Sequence, residues 1–251
     1  MKIATWNVNS VRVRLSQVLE FIEKYDIDII LLQEIKCKTE EFPKYIFDDI
    51  GYNCRIFGQK SYNGVAILSK YMIEDVIFGA EIFLEDSQAR YVEALINGYN
   101  FASVYVPNGK SPDDPAYQYK LDFLDILINR LKQTSSLSQY ILAGDFNITM
   151  ADTDVYDPDL WKNKICCTEL ERTKLRDIVN LGYRDIMKEL RPFEEIYTWW
   201  DYRRETFSKN KGLRLDYFFV DHRIQINNCH VAKEIRNQLR PSDHAPVILE
   251  I

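Results

Sequence analysis

Two short stretches constrain this chain most: "IDIILLQE" at 27–34 and "YILAGDFN" at 140–147. Each is a nearly unbroken apolar run of strand length. A strand with one wet face alternates apolar and polar side chains, whereas a run like these needs cover on both faces. The chain must therefore build layers, with a sheet that is packed above and below. Each run also ends abruptly in polar residues, at Glu34 in one case and at Asp145 and Asn147 in the other.

The rest of the chain alternates strand-like and helical segments. Strands are predicted at 2–8, 52–58, 64–69, 73–78, 90–97, 99–106, 196–200, 213–220, 223–232 and 246–251. Val11, Leu15, Val18 and Ile22 share one face of a helix predicted over 11–24, with Ser10 as its N-cap. Asp114 and Pro115 suit the N-cap and first turn of a second helix, where Tyr117, Leu121, Leu124, Ile128 and Leu131 keep helical spacing. A third helix is predicted near 168–181. "ATWNVN" and "LAGDFN" are both apolar strands that close on an asparagine-bearing tip. Two similar halves, sheet against sheet with helices outside, make an α/β sandwich in one domain over 1–251.

Composition narrows the setting. Apolar runs of four or five residues are far short of the roughly 18–20 that cross a bilayer, so no membrane partner is expected. The N-terminus is polar by Asn7, unlike a secretory signal. Five cysteines form no disulfide framework and no zinc-finger spacing, which points to a reducing cytoplasm. A net charge of −6 argues against a general nucleic-acid coat but leaves room for a local basic track. Residues 203–214 carry net +4, from Arg203, Arg204, Lys209, Lys211 and Arg214 against Glu205. Residues 145–159 carry net −5 and no base. Either run alone reads as a solvated loop.

The polar tips carry the chemistry. Asn7, Glu34, Asp145 and Asn147 lie at strand ends, Asp216 lies within the apolar "LRLDYFFV", and Asp243 and His244 precede the last strand. Any one of them is an ordinary turn or cap residue. Asp216 is harder to dismiss, because a carboxylate amid Leu, Tyr and Phe needs a partner. Together they supply the oxygen-rich set that Mg²⁺ prefers and a histidine beside a carboxylate, the unit that orients a base. That combination suits hydrolysis of a phosphodiester.

"TWNVNS" (5–10), "LLQEIK" (31–36), "GQKSYNGVAILS" (58–69), "VYVPNG" (104–109), "GDFNI" (144–148), "YTWWDYR" (197–203), "GLRLDYFFV" (212–220) and "PSDHAPV" (241–247) resemble, in order and spacing, the exonuclease III family of abasic-site endonucleases. "GDFN" and "SDH" alone would mark only the wider endonuclease/exonuclease/phosphatase superfamily. The resemblance implies a four-layered α/β sandwich with the site at one edge of its two sheets. It implies Mg²⁺-dependent cleavage 5′ to abasic sites in duplex DNA, with Mn²⁺ as a substitute, and 3′→5′ exonuclease and 3′-end cleaning activities. A monomer is expected.

The resemblance also assigns roles. Glu34 is the principal metal ligand with Asn7 beside it and Asp243 as a second ligand, and Asp145, Asn147 and His244 belong to the same ion's surroundings. Asp145 and Asn147 handle water, leaving group and phosphate. Tyr105 stands near the scissile phosphate, and Asp216 pairs with His244. Whether Asp145 or His244 is the general base stays open. Trp199, Leu213 and Leu215 match the apolar pocket for an extruded sugar, which costs least to extrude when it carries no base. Arg203, Lys209 and Asn210 suit phosphate contacts or a wedge in the duplex. Tyr62, Asn63 and Asn108 are expected on the DNA backbone. The loop 149–167 departs from the family pattern. Two other readings remain: a non-specific DNase or phosphatase of the superfamily, and a non-catalytic nucleic-acid binder. The retained carboxylates argue against the binder.

Overall fold

The computed structural model describes residues 1–83, 86–134 and 139–251. Twelve strands among them form two six-stranded sheets. In the first, β1 (Lys2–Asn7), β2 (Ile29–Gln33), β3 (Asn53–Phe57), β4 (Val65–Ser69), β11 (Asn228–Val231) and β12 (Val247–Glu250) run in the order β11-β12-β1-β2-β4-β3. In the second, β5 (Glu74–Phe78), β6 (Tyr91–Ile96), β7 (Tyr99–Tyr105), β8 (Tyr140–Asp145), β9 (Tyr183–Asp185) and β10 (Asp216–Asp221) run in the order β5-β6-β7-β8-β10-β9. β1–β2 and β7–β8 are the parallel pairs; β1 pairs antiparallel with β12, Lys2 opposite Glu250.

The unbroken apolar strands now have their explanation. In β2, Ile29 and Leu31 enter the core between the sheets, while Ile30 and Leu32 face the outer core that α1 (Leu15–Tyr25) covers with Val18, Phe21 and Ile22. In β8, Ile141 and Ala143 face the first sheet. Its Tyr140 and Leu142 pack under α4 (Pro115–Thr134) and α6 (Glu169–Asn180), through Leu124, Leu127, Leu131, Leu175 and Ile178. β10 repeats the pattern, with Phe218 and Val220 inward and Tyr217 and Phe219 outward. The result is four layers: helix, sheet, sheet, helices. Short helices α2 (Lys44–Asp49), α3 (Gly79–Ile82), α5 (Pro158–Trp161) and α7 (Ile186–Leu190) complete the described α-helices. None of the described helices is long and apolar enough to cross a membrane.

Three expectations are corrected. Ser10 does not cap α1. Its backbone sits at φ 90°, its N–H donates to the Glu34 carbonyl at 2.8 Å, and Val11 N–H donates to Ile35 O. The chain thus stays paired beyond β1, and the helix begins only after Arg14. Residues 196–200 make no strand. Trp199 forms single bridges, to Leu213 on one side and His244 on the other, so one residue clamps two segments. Arg214, counted in a solvated basic run, is fully buried. It meets Asp154 (2.9 and 3.0 Å) and Asp185 (2.9 and 2.7 Å), so the acidic and basic runs are joined inside the protein. The capping expectation at Asp114 stands: its carboxylate accepts the Ala116 N–H at 2.9 Å.

Candidate active site

Strand register collects the polar tips. Tyr105 ends β7, Asp145 ends β8 and Asp216 begins β10; the register sets Tyr105 beside Asp145 and Asp145 beside Asp216 in one row. Asn7 ends β1 and Glu34 follows β2, at the adjoining edge of the other sheet. Glu34 takes φ 48° and Asn147 φ 52°, turns that carry their side chains back over the strand ends. The segment 241–247 is tied to β1, with Ser242 Oγ donating to Asn7 O at 2.7 Å and Trp6 Nε1 to His244 O at 3.2 Å.

The contacts are dense. His244 Nδ1 meets Asp216 Oδ2 at 2.8 Å, and His244 Nε2 lies 3.6 Å from Asp145 Oδ2. Asn7 Nδ2 donates to both Glu34 Oε1 (2.8 Å) and Asp145 Oδ2 (2.9 Å). Asn147 N–H donates to Asp145 Oδ1 at 2.9 Å, and Asn108 Nδ2 to Asn147 Oδ1 at 3.1 Å. Asp243 accepts from Trp199 Nε1 (3.0 Å) and Asn9 Nδ2 (2.9 Å). Lys36 Nζ lies 2.7 Å from Glu34 Oε2 and donates to Asn9 Oδ1.

Electrostatics follow from burial and crowding. Burial first, then the Asp216 and Glu34 charges, push the Asp145 carboxyl up to about 7, against the pull of His244 and the Asn7 hydrogen bond. Burial alone would depress His244, but Asp216, Asp145 and Asp243 outweigh it and raise the imidazole to about 10. Burial and the Glu34 and Asp145 charges hold the Tyr105 hydroxyl well above its ordinary range, so it stays a donor. Asp243 goes the other way: burial opposes its ionisation, but His244, Trp199 and Asn9 hold it below 3.8.

Asp145 and Glu34 both accept from Asn7 Nδ2, which brings their buried oxygens together, and such oxygens suit a hard cation. Glu34 and Asp145, with Asp243 as a further oxygen donor, could hold Mg²⁺; the Asn7 amide nitrogen faces both carboxylates and its Oδ1 accepts the Asn9 N–H at 3.0 Å, so Asn7 positions these ligands and offers the ion no oxygen. Ligand atoms of Asp145, Asp216 and His244 also lie within 4.8 Å of one another. That trio is less suited to Mg²⁺, since one donor is a nitrogen and the Asp216–His244 contact already occupies two of the three.

A pocket of about 340 Å³ opens over this row. It brings together Glu34, Tyr105, Asn108, Asp145, Asn147, Trp199, Leu213, Leu215, Asp243 and His244. Tyr62 and Asn63 line an adjoining cavity of about 450 Å³ that shares Tyr105 and Asn108. Arg203 lines a third, about 320 Å³, which shares Trp199 with the central pocket; its guanidinium is paired with Asp201. Lys209 pairs with Glu205, and Asn210 accepts from Lys233 beside a separate cavity, so neither joins the pocket. Sequence reasoning missed Trp161, Ile165 and Cys166, which line the pocket from the loop read as merely acidic. Their signal was the apolar residues of "LWKNKICC", 160–167, which directly follows the acidic run. It also missed Lys36 and Asn9, though both lie within quoted motifs.

Residues 4–244 match the endonuclease/exonuclease/phosphatase family. The chain belongs to that family. Within the endonuclease/exonuclease/phosphatase family it is similar to exodeoxyribonuclease III of Haemophilus influenzae, 33% identical over all of this chain and 99% of the relative. A 3′-phosphatase from Neisseria, solved with a product DNA hairpin, superposes with a TM-score of 0.98 at 38% identity, over 100% of this chain and 99% of that one. An AP endonuclease from Archaeoglobus fulgidus superposes at 0.95 with 35% identity, over 99% and 98%. Its place among these endonuclease/exonuclease/phosphatase relatives is the exonuclease III branch, and the four-layered fold is that branch's fold.

Proposed function

We propose that the protein is a Mg²⁺-dependent DNA-repair nuclease that hydrolyses the phosphodiester 5′ to abasic sites in duplex DNA and also trims or cleans 3′ ends. The observation that carries this reading is the Asp216–His244–Asp145 row beside Glu34 and Asn7, under a pocket walled by Trp199, Leu213 and Leu215. Glu34 and Asp145, braced by the Asn7 amide, would hold a divalent ion, which would supply charge neutralisation at the phosphoryl group.

The chain's own residues do the rest. Asp216 fixes the orientation of His244, whose imidazolium donates a hydrogen bond to a phosphoryl oxygen. Asp145, held by Asn7 and Asn147 and 3.6 Å from His244 Nε2, takes the proton of the attacking water. This assigns the base to Asp145 and the electrophile to His244. Tyr105 and Asn108 donate to the phosphate and hold it in line, while Asn147, whose donors go to Asp145 and the Val106 carbonyl, holds Asp145 in place. The apolar wall accepts a sugar without its base. Tyr62, Asn63 and Arg203 contact the flanking backbone. Five buried, unpaired cysteines suit a reducing cytoplasm.

The Neisseria relative favours a second emphasis, in which release of 3′-phosphate outweighs internal incision. One assay tests both. A labelled duplex with a single tetrahydrofuran abasic analogue, an intact duplex and a 3′-phosphorylated nick are incubated with Mg²⁺ and with EDTA. A single Mg²⁺-dependent cut 5′ to the analogue is expected, leaving a 3′-hydroxyl. Release of 3′-phosphate without that cut would move the protein to 3′-end processing. Digestion of intact DNA alone would make it a non-specific nuclease.

A further inference from the structure

Behind the pocket lies an ion pair that the proposed chemistry does not use. Lys120, on α4, and Glu171, on α6, are both fully buried and 2.5 Å apart. An ion pair this dry costs desolvation that two apolar side chains would not. Its other contacts show what it holds. The Lys120 ammonium donates to the Asn147 carbonyl at 2.7 Å and the Asn108 carbonyl at 3.1 Å. Glu171 accepts from Cys166 N–H and Thr168 N–H, both at 3.0 Å, and from Thr168 Oγ at 2.8 Å. One buried pair thus ties together three loops that line the pocket.

We propose that Lys120 is a positioning residue, which holds Asn147 against Asp145 and Asn108 beside the phosphate. Asn147 occupies a left-handed backbone conformation, φ 52°, which asparagine adopts more readily than most residues with a Cβ. Its carbonyl is fixed by Lys120, and its own N–H and side chain then reach Asp145 (2.9 and 3.3 Å). A neutral hydrogen-bond donor at 120 would hold this turn less firmly, because bonds from a charged donor are the stronger ones. Helices α4 and α6 thereby set the placement of two amides that they never bring to the pocket themselves. The inference rests on the nuclease reading for its consequence in turnover, and on geometry alone for the placement of Asn147.

The test compares the full chain with Lys120→Met/Glu171→Leu, which removes both charges together, and with Glu171→Gln, which leaves the ammonium on both carbonyls. On the abasic-analogue duplex the double variant is expected to lose about tenfold or more in kcat, as misplaced groups do, with KM within about twofold. Exchange of the Asn147 amide hydrogen should speed by about tenfold while amides of β2 keep their protection. Glu171→Gln should lose less than about threefold in kcat. A folded double variant with unchanged kcat, or with unchanged Asn147 exchange, overturns the proposal. Should the double variant not fold, Lys120→Arg, which keeps both charges but displaces the donor from the two carbonyls, decides on the same readouts; unchanged kcat and unchanged Asn147 exchange mean that the pair only braces the fold. A wild-type protein that leaves the abasic duplex intact sinks the nuclease reading, while the exchange arm still decides the positioning role.

Discussion

Asp145→Asn separates catalysis from stability, with opposite signs for the two. Asp145 is pushed from 3.8 up to about 7 in the fold. Raised pKa means that the folded state resists ionisation. The cost is absent below the unfolded value near 3.8, grows between there and about 7, and is complete above about 7. At 1.36 kcal/mol per tenfold, the span amounts to about 4 kcal/mol. Asparagine carries no charge and escapes this cost. It gives part of the gain back, because its NH₂ must face one of the donors that now meet the carboxylate: Asn7 Nδ2, Asn147 N–H or Asn147 Nδ2. In EDTA at pH 8 the variant should therefore melt roughly 4–8 °C higher, taking half of the 4 kcal/mol and about 2–4 °C per kcal/mol. The difference should close as the pH falls toward 4. Mg²⁺ should raise the melting temperature of the wild type and do much less for the variant. Turnover on the abasic-analogue duplex should meanwhile drop by about 10² to 10⁴, the range for a lost general base. Calorimetry in EDTA and in Mg²⁺, beside single-turnover incision, reads all of this. An Asp145→Asn protein that melts lower than wild type at pH 8 without metal, or cuts within about tenfold of it, would refute the reasoning.

Three further substitutions have defined outcomes. Arg214→Met leaves Asp154 and Asp185 buried without their cation and should cost about 3–5 kcal/mol in urea unfolding. The same interaction predicts acid sensitivity. Burial opposes ionisation of Asp154, but Arg214 holds its carboxyl below 3.8, so this stabilisation is full above that value and is lost as the pH falls through the folded pKa. A wild-type pH–stability curve steeper below pH 4 than that of Arg214→Met checks it. Trp199→Ala should reduce the preference for abasic over intact duplex by about tenfold, while unchanged selectivity in competition assays would place the discriminating wall elsewhere. Gly144→Ala should fail to accumulate as folded protein, since at φ 153° the added Cβ would lie 1.9 Å from the Val104 carbonyl in the neighbouring strand; a soluble, active product would contradict the β7–β8 register.

What could be read from the sequence divides along physical lines. Strands covered on both faces announce themselves, because β2, β8 and β10 need apolar residues at every position. Their polar ends announce themselves for the same reason, so Glu34, Asp145 and Asp216 stand out in the sequence alone. Elements held by single contacts leave no period to detect. Trp199 makes one bridge on each side, and its flanks look like a strand because they are apolar and buried. Ser10 looks like a cap because its spacing to Val11 and Leu15 is helical, while its actual partner, the Glu34 carbonyl, is remote in sequence. Charge runs mislead in a comparable way. Arg214 and Asp154 neutralise each other in the interior, and a one-dimensional tally assigns both to solvent. Trp161 is easily passed over as well, since the acidic run that ends at Asp159 draws attention away from the apolar residues that follow it.

The order of the first sheet has a consequence for synthesis. β12 lies between β11 and β1, so the sheet half that carries Asn7 gains its second neighbour only after residues 247–250 have left the ribosome. A nascent chain interrupted after residue 216 but before residue 244 already holds Asn7, Glu34, Asp145 and Asp216, but Asp216 lacks its imidazole and β1 lacks its flanking strand. Unfinished copies are thereby left without the residue that completes the row.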